Sequence, residues 1–313
     1  MCLINKKGVY GMKTGELIKN IRIAKGIKAK TVYDNLLSRS MYYKYESGLV
    51  ETTADTFLHI LDRLNVESDE FVVLFKKIMQ RQVHYHYDEY REDLLRSFCD
   101  GNFTEIRALE KKLERGYEET HLLRFHNLQL IAKAMKKKLG RVNESTLTER
   151  KEITHYLLRS KHWGHYEYKL LSDAMFMFDS SSAEKLLQNH EWLEQDDEQD
   201  LRLENLKIKT LCGTILLFMK SDKKEHTAYY YSLLAKINVD SNNIYAQSNK
   251  RFFNGLKTIY DGDYEQGIKL ISEIFSLYQK IGLDDLYHEH VAILQDLLST
   301  QLQKKGTRRR RKA

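Results

Sequence analysis

Apolar and polar residues alternate with a helical period along most of the chain, and the pattern changes character once. Between residues 14 and 79 it falls into short segments. Thr14 can cap a helix with Leu17, Ile18 and Ile21 on one face, closing at Lys25-Gly26, where glycine after a basic turn is a stop signal. A second short helix spans about residues 30–35. Ser38 is a cap candidate for a third that runs to Ser47 and stops at Gly48. Thr52 or Thr53 opens a fourth over residues 54–64, with Phe57, Leu58, Ile60 and Leu61 as its stripe. After the polar break at residues 65–68, a fifth runs from 69 to about 80.

From about residue 85 the helices lengthen and come in pairs, the pattern of a helical solenoid. Gly101-Asn102-Phe103 and Gly262-Asp263-Tyr264 each follow an aspartate and precede an apolar helix. Helices beginning near Glu184, Glu225 and Tyr264 are spaced by 41 and 39 residues, close to the period of tetratricopeptide-like units with long helices. Such stacks make a concave surface that binds extended or helical peptides.

Composition sharpens the class. The chain has no proline in 313 residues, where average usage near 5% predicts roughly 16, and helix interiors reject proline. An all-α fold follows. No apolar run reaches the roughly 18 residues of a membrane span, and the first residues are too short and polar for a signal peptide, so a cytoplasmic protein with no membrane partner is expected. Cys2, Cys99 and Cys212 match no metal or disulfide spacing and read as reduced thiols.

The net charge of +7 is located rather than spread. Residues 304–313 hold seven cations and no anion, so the rest of the chain is formally neutral. This like-charged tail is expected to be disordered, either as added salt-sensitive affinity for DNA or as a merely solvated end. Residues 12–50 carry eight cations against Glu16, Asp34 and Glu46, whereas residues 51–75 set Arg63 against six acids. That sign change fits a domain with one basic face.

The segment Leu37 to Gly48 has what a major-groove reader needs: a short helix, a tight turn and a second helix opening with small and basic residues. On a helix starting after Ser38, Tyr42 and Tyr45 fall inward, leaving Arg39, Ser40, Tyr43 and Lys44 outward. Arg39, Ser40 and Tyr43 are assigned to base or groove contact, with the Ser38 cap facing the same surface. Lys28, Lys30 and Lys44 are assigned to phosphate. The competing reading is an ordinary α-hairpin with solvated lysines.

Residues 15–26, followed by 37–48 and by 57–65, resemble the Cro/repressor-type helix-turn-helix, and more closely the Rgg (Rgg/GadR/MutR) family of Gram-positive regulators. That resemblance implies that Arg22 and Glu46 form a structural ion pair between the first and third helices. The chain departs from the pattern at Tyr33, where the second helix usually carries a small residue. Residues 153–158 leading into Trp163-Gly164-His165-Tyr166-Glu167 are similar to the family's central pattern, and residues 252–256 with 261–268 to its later repeat. The resemblance implies a homodimer whose repeat domain binds a short peptide pheromone and switches transcription.

The expected architecture is thus all-α: a helix-turn-helix DNA-binding domain (12–80) followed by a right-handed tetratricopeptide-like solenoid (85–303) for peptide binding and dimerisation. A disordered extension (1–11) and the basic tail (304–313) flank them. Expected partners are double-stranded operator DNA, a signalling peptide and a second copy of the chain. A peptide groove needs Asn for two-sided amide pairing and Arg for carboxylate capture. Arg159, Arg202, Asn205, Lys209, Arg251 and Asn254 are candidates because they interrupt otherwise core-like helices; a solvated outer face is the competing reading for each.

Trp163 is expected at a packed helix junction rather than as a ligand platform. The pairs His84/His86, His162/His165 and His288/His290 do not read as zinc ligands, because i,i+2 spacing on a helix points side chains apart. No phosphate-binding glycine loop, nucleophile elbow or His-Glu-x-x-His helix occurs, so neither a cofactor nor an enzymatic activity is expected. The alternative function is a helical-repeat interaction scaffold whose N-terminal domain docks without reading DNA.

Overall fold

A computed structural model describes residues 13–79, 86–140, 145–188, 190–192 and 200–310, the side chains of residue 79 and of 301–310 excepted. Among these residues there is no strand. Five helices come first: α1 (Thr14–Ala24), α2 (Ala29–Tyr33), α3 (Arg39–Glu46), α4 (Ala54–Leu64) and α5 (Ser68–Met79). The longer ones follow: α6 (Tyr87–Cys99), α7 (Phe103–Thr120), α8 (Leu123–Leu139), α9 (Leu147–Arg159), α10 (His165–Ala174), α11 (Ser180–Leu187), α12 (Leu201–Lys220), α13 (Lys224–Lys236), α14 (Ile244–Asp261), α15 (Tyr264–Ile281) and α16 (Asp284–Arg310). No helix among the described residues is long and apolar enough to cross a membrane.

Local chemistry sets several of these boundaries. Ser38 caps α3 by accepting from the Met41 N–H at 3.4 Å, and Thr53 caps α4 by accepting from Thr56 at 3.3 Å. Asn65, in the left-handed region, closes α4. At α1 the cap is Lys13 rather than Thr14: the Lys13 N–H donates to the Glu16 carboxylate at 2.8 Å, and Thr14 already belongs to the helix. Helix α11 starts at Ser180, a turn before Glu184, because Asp179 accepts from the Ser182 N–H at 2.8 Å. Helix α16 runs on to Arg310, where the charge run predicted disorder; Lys and Arg are good helix formers, and here they extend an established helix. Residues 1–11, the expected extension, lie outside the described residues.

The chain divides into two compact units, Met1–Arg96 with Lys112–Phe125, and Ser97–Lys111 with His126–Ala313. The first unit therefore takes in most of α6 and parts of α7 and α8 in addition to residues 12–80. Its core is Leu17, Ile18, Ile21, Val32, Tyr33, Tyr45, Ile60, Leu61, Leu64, Val66 and Phe71, with Leu36, Leu37, Tyr42 and Phe57 packed around it. Gly15 is needed where α1 crosses α3: a Cβ there would lie 1.9 Å from the Tyr45 carbonyl oxygen.

In the second unit α10, α12 and α14 pack side by side, with α13 backing α12 and α15 backing α14. Helices α14 and α15 cross closely through facing glycines. A Cβ on Gly255 would meet Ile271 at 2.6 Å, and one on Gly267 would meet the Gly255 carbonyl at 2.9 Å. Helix α16 closes the end by packing on both α15 and α12. His290 is buried there: it accepts at Nδ1 from the Tyr278 hydroxyl (2.9 Å), donates from Nε2 to Asn249 Oδ1 (3.3 Å) and stacks on Phe252 at 3.9 Å. The Asn249 amide in turn donates to the Tyr245 carbonyl at 2.9 Å. Both ring nitrogens of His290 thus have partners, and burial holds the imidazole neutral by pushing its pKa down to about 4.

Candidate functional site

Two surfaces collect the residues singled out from the sequence, one in each unit. The first is the open face of α3. Lys28, which precedes α2, Lys30 within it, and Ser38, Arg39, Ser40, Tyr43 and Lys44 are all exposed. On α3 the last four of these share one face, while Tyr45 and Glu46 are buried behind it. A row of cations and hydroxyls at the start of a helix in a helix-turn-helix is the arrangement that reaches base edges and phosphates. Met41 and Leu49, 39% and 76% exposed, flank this row and were not legible as surface residues from the pattern.

Behind that face lies a buried polar cluster. Arg22 holds Glu46 with two parallel bonds, Nε to Oε1 at 2.6 Å and Nη2 to Oε2 at 2.8 Å, and gives a third to the Ile27 carbonyl at 3.1 Å. The pair implied by the resemblance is present between α1 and α3. The Tyr33 hydroxyl donates to the same Glu46 oxygen at 2.8 Å. Tyr33 is 1% exposed, and burial together with that bond pushes its pKa up. The bond to Glu46 raises the Arg22 pKa as well. The bulk that departs from the family pattern thus adds a third member to the ion pair. Arg63 is structural too, donating to the Val32 and Asp34 carbonyls at 3.1 and 2.5 Å and so closing α2.

The second surface is the open stripe of α12. Arg202, Leu206, Lys209, Gly213 and Leu216 recur at helical spacing, and none of them is buried. The other faces of α12 are occupied. Thr210 donates to the Tyr168 carbonyl of α10 at 3.2 Å, Phe218 stacks on Tyr230 of α13 at 5.2 Å, and Lys220 pairs with Asp296 of α16. The stripe therefore forms a floor between α10 and α16. Its middle is Gly213, where an added Cβ would stand 3.6 Å from the Met175 side chain. At the α10 edge His165 pairs with Asp200 at 2.8 Å.

The six residues expected in a groove do not come together. Arg202 and Lys209 lie on the floor, exposed. Asn205 turns toward α14, where it accepts from the Asn243 amide at 2.8 Å. Asn254 accepts from the Tyr231 hydroxyl of α13 at 2.8 Å, and its neighbour Gly255 packs on α15, so Asn254 and the exposed Arg251 sit between the second helices of two pairs. Arg159 ends α9. A polar residue interrupting an apolar helix marks a tie to the next helix as readily as a groove, and the one-dimensional pattern does not separate the two.

Trp163 sits at the α9–α10 junction, donating from Nε1 to the Leu157 carbonyl at 3.2 Å and packing on His190 at 4.1 Å. Among the described residues no group of three His, Cys, Asp or Glu could hold a metal ion. His84 lies outside them, and His86 pairs with Glu89.

A helix-turn-helix unit joined in one chain to a helical-repeat unit defines a class of transcriptional regulators. The family model of the HTH-type transcriptional regulator Rgg, C-terminal domain, matches residues 107–292, and the chain belongs to the Rgg family. Solved structures agree on the fold. A cysteine-to-serine variant of the SHP pheromone receptor Rgg2 of Streptococcus dysgalactiae is similar at a TM-score of 0.72 and 19% identity, over 91% of this chain and 99% of that one. A transcriptional regulator from Listeria monocytogenes EGD-e gives 0.73 and 18%, over 92% and 98%. The complex of PrgX with cCF10 gives 0.70 and 14%, over 93% and 94%. No protein of curated function matches.

Proposed function

We propose that this chain is a cytoplasmic, non-enzymatic, sequence-specific DNA-binding regulator that acts as a homodimer and answers to a short peptide bound on the α12 floor. The observation that carries the DNA reading is the exposed row Arg39, Ser40, Tyr43 and Lys44 on a helix whose back is fixed by a buried ion pair. Two such helices, one per subunit, read half-sites about 34 Å apart on an inverted repeat. Lys28, Lys30 and Lys44 supply sequence-independent, salt-sensitive affinity, and the Ser38 end of α3 lies closest to the bases.

The peptide reading draws on PrgX, crystallised with cCF10, and on Rgg2, named for its SHP pheromone. In this chain the floor residues Arg202 and Lys209 favour a peptide that brings a carboxylate, and Leu206 and Leu216 favour apolar side chains beside it. Mobility shift of the purified protein on fragments of its own genome, in rising salt, tests the first reading. Arg39→Ala and Lys44→Ala should each weaken retention; unchanged binding by both would remove α3 as the reading helix. No salt-dependent binding to any DNA would leave the scaffold reading in its place.

A further inference from the structure

The tyrosines of the first unit form a ladder from the buried ion pair to the surface of α3. Tyr33, fixed by its hydroxyl on Glu46, lies parallel to Tyr42, with ring centroids 4.8 Å apart and planes 6° apart. Tyr42 stacks in turn on Tyr43 at 4.6 Å and 28°. Tyr43 is 55% exposed, and the Arg39 guanidinium lies 5.9 Å from its ring centroid. The proximity of the Tyr42 hydroxyl and the Arg39 guanidinium lowers the Tyr43 pKa, and that of Tyr42 is raised by its neighbour Tyr43. An exposed arginine ordinarily gives up several freely rotating bonds when it is fixed against a target, and that lost freedom opposes binding. Here the first residue of α3 is already held by a stack whose root cannot move without breaking Arg22–Glu46–Tyr33.

We propose that Arg39 recognises a guanine through its O6 and N7 edge, and that Tyr42 and Tyr43 are positioning residues that hold the guanidinium fork in that plane. This rests on the DNA reading above and goes beyond it by naming the base and the residues that aim the contact. Position favours a base over a phosphate, because the N-terminal residues of a groove-bound helix meet base edges and the planar arginine fork matches guanine bidentately.

The test starts from a randomised duplex pool selected with the full-length wild-type chain, followed by replacement of each consensus guanine with 7-deazaguanine, which lacks N7. One position should lose about tenfold or more in affinity. Arg39→Ala should become indifferent to the replacement at that position alone. Tyr42→Phe and Tyr43→Phe keep the rings and remove the hydroxyls, and should weaken guanine discrimination there several-fold. For Tyr42→Phe, whose side chain lies outside the exposed row, binding to random DNA, its salt slope and the thermal midpoint should stay at wild-type values. Tyr42→Leu, which also removes a ring, should lose more discrimination than Tyr42→Phe.

The proposal is overturned if Arg39→Ala discriminates as the wild type does, or if the tyrosine variants lose affinity equally for every sequence. An Arg39→Ala loss that is uniform and lowers the salt slope would instead make Arg39 a phosphate contact. A wild type that selects no consensus overturns the DNA reading itself, an outcome none of the variant results imitates.

Discussion

Two buried polar clusters, one in each unit, are built differently. In the first, a charged pair, Arg22 and Glu46, is enclosed with a tyrosine hydroxyl, and its geometry is bidentate. In the second, a neutral chain of Tyr278, His290, Asn249 and the Tyr245 carbonyl ties α14, α15 and α16 together. A buried pair of charges costs desolvation that only close geometry offsets, but it fixes one arrangement of its helices. A buried neutral chain costs less and is vulnerable in a different place: a proton added to the histidine puts a charge where burial disfavours one. The helices behind the exposed α3 face are locked by charge, and the α14–α16 end of the second unit is locked by neutral groups.

Breaking the first lock should have the largest effect. Glu46→Ala leaves the Arg22 guanidinium enclosed without its partner, and such a loss costs about 3 to 5 kcal/mol. Chemical denaturation followed by a probe in the first unit measures it. An effect below about 1 kcal/mol would mean that water replaces Glu46 and that the pair is a surface feature.

The second lock should fail in acid. The folded pKa of His290, about 4, is below its ordinary 6.5, so the unfolded chain binds the proton more readily between those values. The stabilisation is fully present above about pH 6.5 and is lost as pH falls toward 4, by roughly 3 kcal/mol at the limit. His290→Gln should lower stability at neutral pH and flatten this dependence. A variant as acid-sensitive as the wild type would show that other groups set the acid limb.

Between these and the smallest effect stands Tyr33→Phe, which removes one bond to a charged acceptor and should cost about 1.5 to 3 kcal/mol in the first unit while leaving the second unchanged. Smallest of all, Arg251→Ala should move stability by less than about 0.5 kcal/mol and leave peptide affinity intact, whereas the Arg202→Ala, Lys209→Ala double variant should weaken binding of an acidic peptide. Equal losses from both would place the groove elsewhere. Titration of fluorescent peptides reads this comparison directly.

Much of the fold was legible because it rests on local signals. The α4 boundaries follow from Thr53, and the end of α3 from Gly48 in the left-handed region. The outward set on α3 followed from spacing alone. What stayed hidden depends on which helix comes to lie opposite. Tyr33 stood out as too large for its place, yet its use could be seen only once Glu46 was beside it. The spacing of His288 and His290 spoke only against zinc, and the burial of His290 stayed hidden because it is supplied by Phe252 and Tyr278 from two other helices. Asn205 and Asn254 carried the right chemistry for a groove and were spent on neighbouring helices instead.

Gly213 gives the α12 floor a vacant position that can be refilled by substitution. Alanine there would meet Met175 at ordinary contact distance, so the helix can accept it without rearrangement. Larger side chains would take volume from the floor, and position 213 belongs to the second unit whereas α3 belongs to the first. On the proposed function this makes position 213 a tuning point for orthogonal signalling: a receptor bulged at 213 would ignore its own peptide and could be matched with a peptide trimmed to fit, giving two circuits that share one operator and do not hear each other.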